Sequence, residues 1–167
     1  MKKNFCGMLV VALLLVGMVF NAVAEGIDAR ASSDRICKTF EKNNRPGRLT
    51  ISGGLSFDDA KYSYDSMLEY SDLLTTAIKP GEKIHIFAVL IFLAGDNREI
   101  PSDSKISFSC TSAHAAEITK EDLAQYEDIV IARTNITVEE LRRRMASSEP
   151  ITAEQAVKYG FAHKIVD

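Results

Sequence analysis

Residues 83–94 read KIHIFAVLIFLA, a nearly continuous apolar run. A segment with so little polar surface belongs inside a fold. Periodicity leaves two forms open for it, a buried strand or a strand running into a buried helix. Turn signals bracket it, Lys79-Pro80-Gly81 before and Gly95-Asp96-Asn97 after. Upstream, Arg48 to Ser52 alternates and carries β-branched residues, which predicts a strand. Gly53-Gly54 follows as a turn, and Ser56 stands as a helix N-cap with Asp58 and Asp59 in the first turn. Phe57, Ala60, Tyr64, Met67, Leu68 and Leu74 recur at helical spacing, so the helix is expected over residues 57–76.

The flanks follow the same logic. Residues 25–34 are small, polar and charged, which predicts a loose lead-in. Ile36, Cys37 and Phe40 share one face of a short helix over 35–42, stopped by Pro46-Gly47. Lys105 to Cys110 is a strand candidate, and Thr119 caps a helix with Leu123, Tyr126, Ile129 and Val130 inward. Thr137-Val138-Glu139-Glu140 and Thr152-Ala153-Glu154-Gln155 are capping-box patterns. Gly160 sits where a C-terminal cap belongs, and Lys164-Ile165-Val166 closes as a short strand. Strands alternating with helices favour an α/β layer with right-handed crossovers. At 167 residues the chain is expected to form one domain.

The first 24 residues, MKKNFCGMLVVALLLVGMVFNAVA, have a different character. Lys2 and Lys3 precede an apolar stretch from Phe5 to Phe20, and Ala22-Val23-Ala24 is a small-x-small cleavage site. That is the layout of a secretory leader, and the stretch is short for a membrane-spanning helix of about 20 residues. Cleavage after Ala24 would leave 143 residues beginning at Glu25, with no span remaining. The leader has a bacterial look, so the expected location is the periplasm or outside the cell. Without the leader the chain carries 18 basic and 23 acidic residues, a formal charge of -5, which argues against a nucleic-acid partner. The 46% hydrophobic and 26% charged content excludes disorder by composition. The three histidines, His85, His114 and His163, show no ligand spacing, so neither metal nor cofactor is expected. Cys37 and Cys110 remain after cleavage, and an even pair in an oxidising compartment is expected to form a disulfide.

Taken in order, the Gly-Gly loop, the amphipathic helix, the LIFLAG run and the closing ITAEQAVKYGFAHKIVD resemble the ClpP-type serine proteases and their crotonase-like relatives. The closest part is Glu139 to Val166, where Thr152, Ala153, Ala156 and Gly160 match the family's helix pattern. Leu90 to Gly95 is similar to the helix after the family's nucleophile, and Ile51-Ser52-Gly53-Gly54 to its oxyanion loop. The resemblance implies a small central sheet with flanking helices. It spans residues 48–167, with a short insertion around 75–82. The 25–47 segment is too short for a full strand–helix unit, which implies an N-terminally trimmed domain.

The resemblance also implies where a catalytic triad would stand. The nucleophile position is Ile86, nine residues before Gly95. The histidine position, after Ile100-Pro101, is Ser109, which is no base near neutral pH. The acid position is Ser148, with Glu149 beside it. A hydroxyl nucleophile needs an adjacent base and an orienting acid, so no catalytic residue is assigned. Outside these positions, Ser112 and His114 are the candidates for a relocated pair. Gly53 and Gly54 are read either as a plain strand-to-helix turn or as backbone donors to a ligand carbonyl. Arg142-Arg143-Arg144 is expected to be one solvated helix face.

Three functional readings follow. The first is an exported, non-catalytic ClpP-like protein that acts by binding, an accessory or assembly factor of an envelope system such as a pilus or secretion machine. Its partner would then be a protein of the cell envelope. The second is a periplasmic serine hydrolase or peptidase with relocated residues. The third is an immunity-type or inhibitor protein.

Overall fold

A computed structural model describes residues 20–24, 29–109, 118–147 and 149–167. Hydroxyl caps set the helix starts as the sequence predicts. The Ser56 hydroxyl accepts from the Asp59 N–H at the head of α2 (Phe57–Leu68). Thr119 and Asp122 exchange reciprocal bonds at the head of α4 (Lys120–Arg133). Thr152 and Gln155 do the same for α6 (Ala153–Lys158). Such caps satisfy N–H groups that have no partner within the helix. The remaining helices are α1 (Ala29–Asn43), α3 (Ala88–Ala94) and α5 (Val138–Ser147).

The main sheet has five strands in the order β1-β2-β3-β5-β7, every neighbouring pair parallel. These are β1 (Phe20–Ala24), β2 (Gly47–Ile51), β3 (Leu74–Ile78), β5 (Asn97–Pro101) and β7 (Lys164–Val166). A second sheet pairs β4 (Lys83–Ile84) with β6 (Lys105–Ile106), also in parallel. An isolated antiparallel bridge joins Ile106 to Ile151. Parallel neighbours need crossover connections, and helices supply them between β1 and β2 and between β2 and β3.

The apolar run of residues 83–94 takes the second of its two forms, a two-residue strand followed by α3. All seven α3 residues are buried. This helix packs on β3, where the Thr76 hydroxyl donates to the Phe92 carbonyl at 2.6 Å. Contact is closest at Gly95: a Cβ there would lie 2.7 Å from the Leu74 carbonyl oxygen and 3.0 Å from both branches of Thr76.

Several expectations change. Helix α2 ends at Leu68, and Leu74 belongs to β3, a central strand in place of the expected helix end and insertion. Leu74 keeps the helical phase of Met67 by coincidence. The pairing edges of β2 and β5 override it. Asn97–Pro101 is a strand rather than turn and loop. Helix α1 starts at Ala29, six residues earlier than read, and lies against α2. The Arg30–Asp59 ion pair and the Tyr62–Asp34 hydrogen bond link the two helices, and Phe40 of α1 stacks on Tyr70 in the turn after α2. A strand and a fifteen-residue helix therefore precede β2, the strand drawn from the last residues of the expected leader.

Cys37 is a free thiol in the structure, in place of the expected disulfide. It sits on α1 with its sulfur 3.3 Å from the Ser66 carbonyl of α2, so it is committed to the contact between the two helices. Cys110 lies outside the described residues. Nor do the three arginines share a face, because successive helix positions point about 100° apart. Arg142 pairs with Glu127, and Arg143 with Glu140. Arg144 is buried, bonding Glu140 while its guanidinium lies over the Tyr159 ring.

Arg98 of β5 is a buried staple that no sequence motif announced. Its guanidinium donates to the carbonyls of Phe161, Gly95, Arg133 and Gly160 and to His163 Nε2. Burial, and then the neighbouring Arg133, bring its pKa down to about 10. Arg133 adds bonds to the Leu93 and Gly95 carbonyls and to Asp96. The two arginines gather the ends of α3 and α4 and the turn before β7. Cationic groups are favoured at helix C-termini, where carbonyls lack partners.

Candidate functional site

The Gly53–Gly54 loop connects β2 to the Ser56 cap. Gly53 has φ of 73°, the left-handed region that glycine occupies without penalty. Gly54 faces His85, with a Cβ at Gly54 placed 3.7 Å from His85 Cβ and 3.9 Å from Cδ2. The loop thus abuts the residue just before Ile86. Ile86 itself is buried, 3% exposed, and belongs to the hydrophobic core at the point where β4 gives way to α3.

Strand β6 brings the second position alongside. The Ser107 N–H donates to the Ile84 carbonyl at 2.9 Å, continuing the β4–β6 pairing toward Ile86 and Phe108. Ser109 follows one residue later, its hydroxyl 2.7 Å from the Ser107 hydroxyl. The Ile106–Ile151 bridge adds the 149–151 segment to the other side of β6. Glu149 is exposed, with its N–H on the Ser147 hydroxyl. Gly54 therefore lies beside His85, the residue before Ile86, while Ser109 follows β6, the strand paired with β4. Ser148, Ser112 and His114 lie outside the described residues.

The described histidines are elsewhere or differently engaged. His85 is half-buried between Gly54 and the core. His163 is exposed in the turn before β7, where it accepts from Arg98. Partial burial and the charges of Arg98 and Arg133 lower its pKa. Among the described residues no group of three His, Cys, Asp or Glu side chains is placed to hold a metal ion. No helix among them is long and apolar enough to cross a membrane.

Next to Ile86 is a cavity of about 300 Å³ between the N-termini of α2 and α4. Phe57, Phe87 and Ile118 give it an apolar lining. The two capping residues, Ser56 and Thr119, stand at its edge with Asp58 and Asp122. Phe57 and Phe87 meet edge to face at 5.5 Å. Tyr126 packs edge to face on Phe87 at 6.2 Å and is completely buried. Its hydroxyl has no hydrogen-bond partner among the described residues, and burial pushes its pKa far up. The sequence reading missed this cavity. Phe87 hides inside the apolar run, and Ile118-Thr119 reads only as the start of a helix.

No family model matches the sequence, and no curated protein matches it. In three dimensions the chain is similar to the ClpP protease catalytic domain from Plasmodium falciparum, with a TM-score of 0.70. The match covers 89% of this chain and 83% of that one at 16% sequence identity. The chain has a ClpP-like fold. At that identity the likeness is one of architecture: an α/β layer with a small parallel sheet flanked by helices. What the ClpP-like fold does in this chain depends on its side chains.

Proposed function

We propose that this chain is an exported, non-catalytic ClpP-like protein that acts by binding, as an accessory or assembly factor of an envelope system such as a pilus or secretion machine. The observation that carries the non-catalytic part is Ile86. A buried hydrocarbon stands at the head of α3, beside the Gly53–Gly54 loop, where the family resemblance puts a nucleophile. The neighbouring Ser109 bonds a serine hydroxyl and lacks an imidazole's capacity to take a proton. Losing triad members removes most of the rate, leaving at best what the backbone loop and binding contribute. Export is supported by the leader-like residues 1–24, and the envelope role by compartment and size.

The test is a fluorophosphonate probe applied to the exported protein, with peptide and ester substrates alongside. The expected result is no labelled serine and no turnover. Stoichiometric labelling abolished by Ser112→Ala would overturn the reading in favour of a hydrolase with a relocated Ser112–His114 pair. Ile86→Ser alone is expected to restore nothing, because the base at position 109 is still missing. Co-purification from the envelope then identifies the partner and separates an assembly factor from an immunity-type protein.

A further inference from the structure

Strand β1 and the expected leader cleavage site are the same residues. Phe20–Ala24 pairs along its full length with Gly47–Ile51, from Phe20 opposite Gly47 to Ala24 opposite Ile51. Ala22-Val23-Ala24 is also the small-x-small site. Hydrolysis of the Ala24–Glu25 peptide bond, with water supplying the new termini, severs this strand from the rest of the fold. Strand β2 then becomes the edge of the sheet.

Strand β2 is built as an interior strand. Leu49 and Ile51 are each 1% exposed, and the strand contains no proline. Its single charge, Arg48, is turned across β3 to pair with Glu99 of β5. Natural sheets guard open edges with outward lysines, prolines, bulges or very short strands. The opposite edge follows that rule: β7 has three residues and carries the exposed Lys164. The β2 edge has no such device. A bare row of backbone donors and acceptors on an unguarded strand is a template for another strand.

We infer that the processed protein uses the β2 edge as a strand-acceptor site, filled by an extended, uncharged segment of a partner polypeptide that runs parallel to Gly47–Ile51. The chemistry of the occupant is read from the strand it replaces, Phe-Asn-Ala-Val-Ala, which ends in small Ala22 and Ala24 around Val23 and carries no charge. The inference rests on the export reading, since it needs the leader to be removed.

The test uses the chain as a bacterial host exports it. Mass spectrometry first establishes the N-terminus. With Glu25 as the first residue, a synthetic peptide of residues 18–24 is expected to bind saturably and to slow hydrogen exchange at residues 47–51. A peptide with prolines at both 22 and 23 lacks whichever of the two N–H groups faces β2. It is expected to bind about tenfold more weakly or worse. A product starting at Glu25 that ignores both peptides, binds them equally or is unfolded overturns the acceptor site while leaving export intact. A dimer that the peptide fails to dissociate overturns the choice of occupant. A product that still starts at Met1 refutes the export reading instead.

Discussion

Replacing Gly95 by alanine isolates the closest contact in the core. Gly95 has φ of −80° and ψ of 145°, where alanine is as comfortable as glycine, so no backbone strain enters. The whole effect is steric. The new Cβ falls 2.7 Å from the Leu74 carbonyl oxygen and 3.0 Å from Thr76. Leu74 lies in β3, held between β2 and β5, so its carbonyl has little room to yield. Overpacking of this kind costs about 1–3 kcal/mol, and more where backbone must move. If α3 retreats instead, the Gly95 carbonyl drags on Arg98 and Arg133, and each weakened bond adds about 1 kcal/mol. A loss of about 3 kcal/mol is expected, which lowers Tm by roughly 6–12 °C for a chain of this size. Gly54→Ala is the matched control. Its Cβ meets nothing nearer than 3.7 Å, so its effect should stay within about 0.5 kcal/mol. Urea titration of the three proteins decides the matter. If Gly95→Ala costs no more than Gly54→Ala, the packing of α3 on β3 is not as described.

Three other measurements probe separate parts of the fold. Tyr126→Phe removes a buried hydroxyl that has no partner among the described residues and is expected to raise stability by about 1 kcal/mol; a loss would show that the hydroxyl is bonded. Glu140 accepts from Arg143, Tyr159 and Arg144, which hold its carboxyl at about 2 against an ordinary 4.5. A depressed carboxyl contributes stability above its unfolded pKa and loses it as pH falls through the folded value, so the wild-type acid limb should steepen between about pH 4.5 and 2. Glu140→Gln should flatten that limb, and an unchanged slope in denaturant titrations across it would refute the network. The Cys37 thiol, raised by burial and then by Asp34 and Glu41, should alkylate slowly in the folded protein and fully once unfolded without reductant. A Cys37–Cys110 cross-linked peptide in the mass spectrum would refute the free thiol.

The parts of the fold legible in the sequence are those written locally. Ser56, Thr119 and Thr152 announce helix starts because a hydroxyl cap needs only its own first turn. Strand β2 is legible for its alternation, and Gly53-Gly54 for the turn that leads from it to the Ser56 cap. Strands β3 and β5 were not legible. Leu74 falls in phase with the preceding helix, and Asn97-Arg98-Glu99 looks like loop, since a charged residue in a strand makes sense only once its partners are known. Arg98 finds them 35 or more residues away at Arg133, Gly160 and Phe161. Residues 20–24 are ambiguous for a different reason: an extended, uncharged stretch ending in small-x-small suits a leader peptidase and a sheet edge equally.

In the main sheet, strand order follows chain order without a reversal. Strands β1, β2, β3, β5 and β7 lie side by side in the sequence in which they are synthesised, and no strand inserts between two already placed. The sheet can therefore grow from a single edge as the polypeptide emerges, β2, β3 and β5 each meeting the strand beside them before the 102–163 segment that separates β5 from β7 is needed. The first four strands pair across short segments, which lowers the entropic cost of starting the sheet, and the long 102–163 segment closes last, when β7 docks on β5.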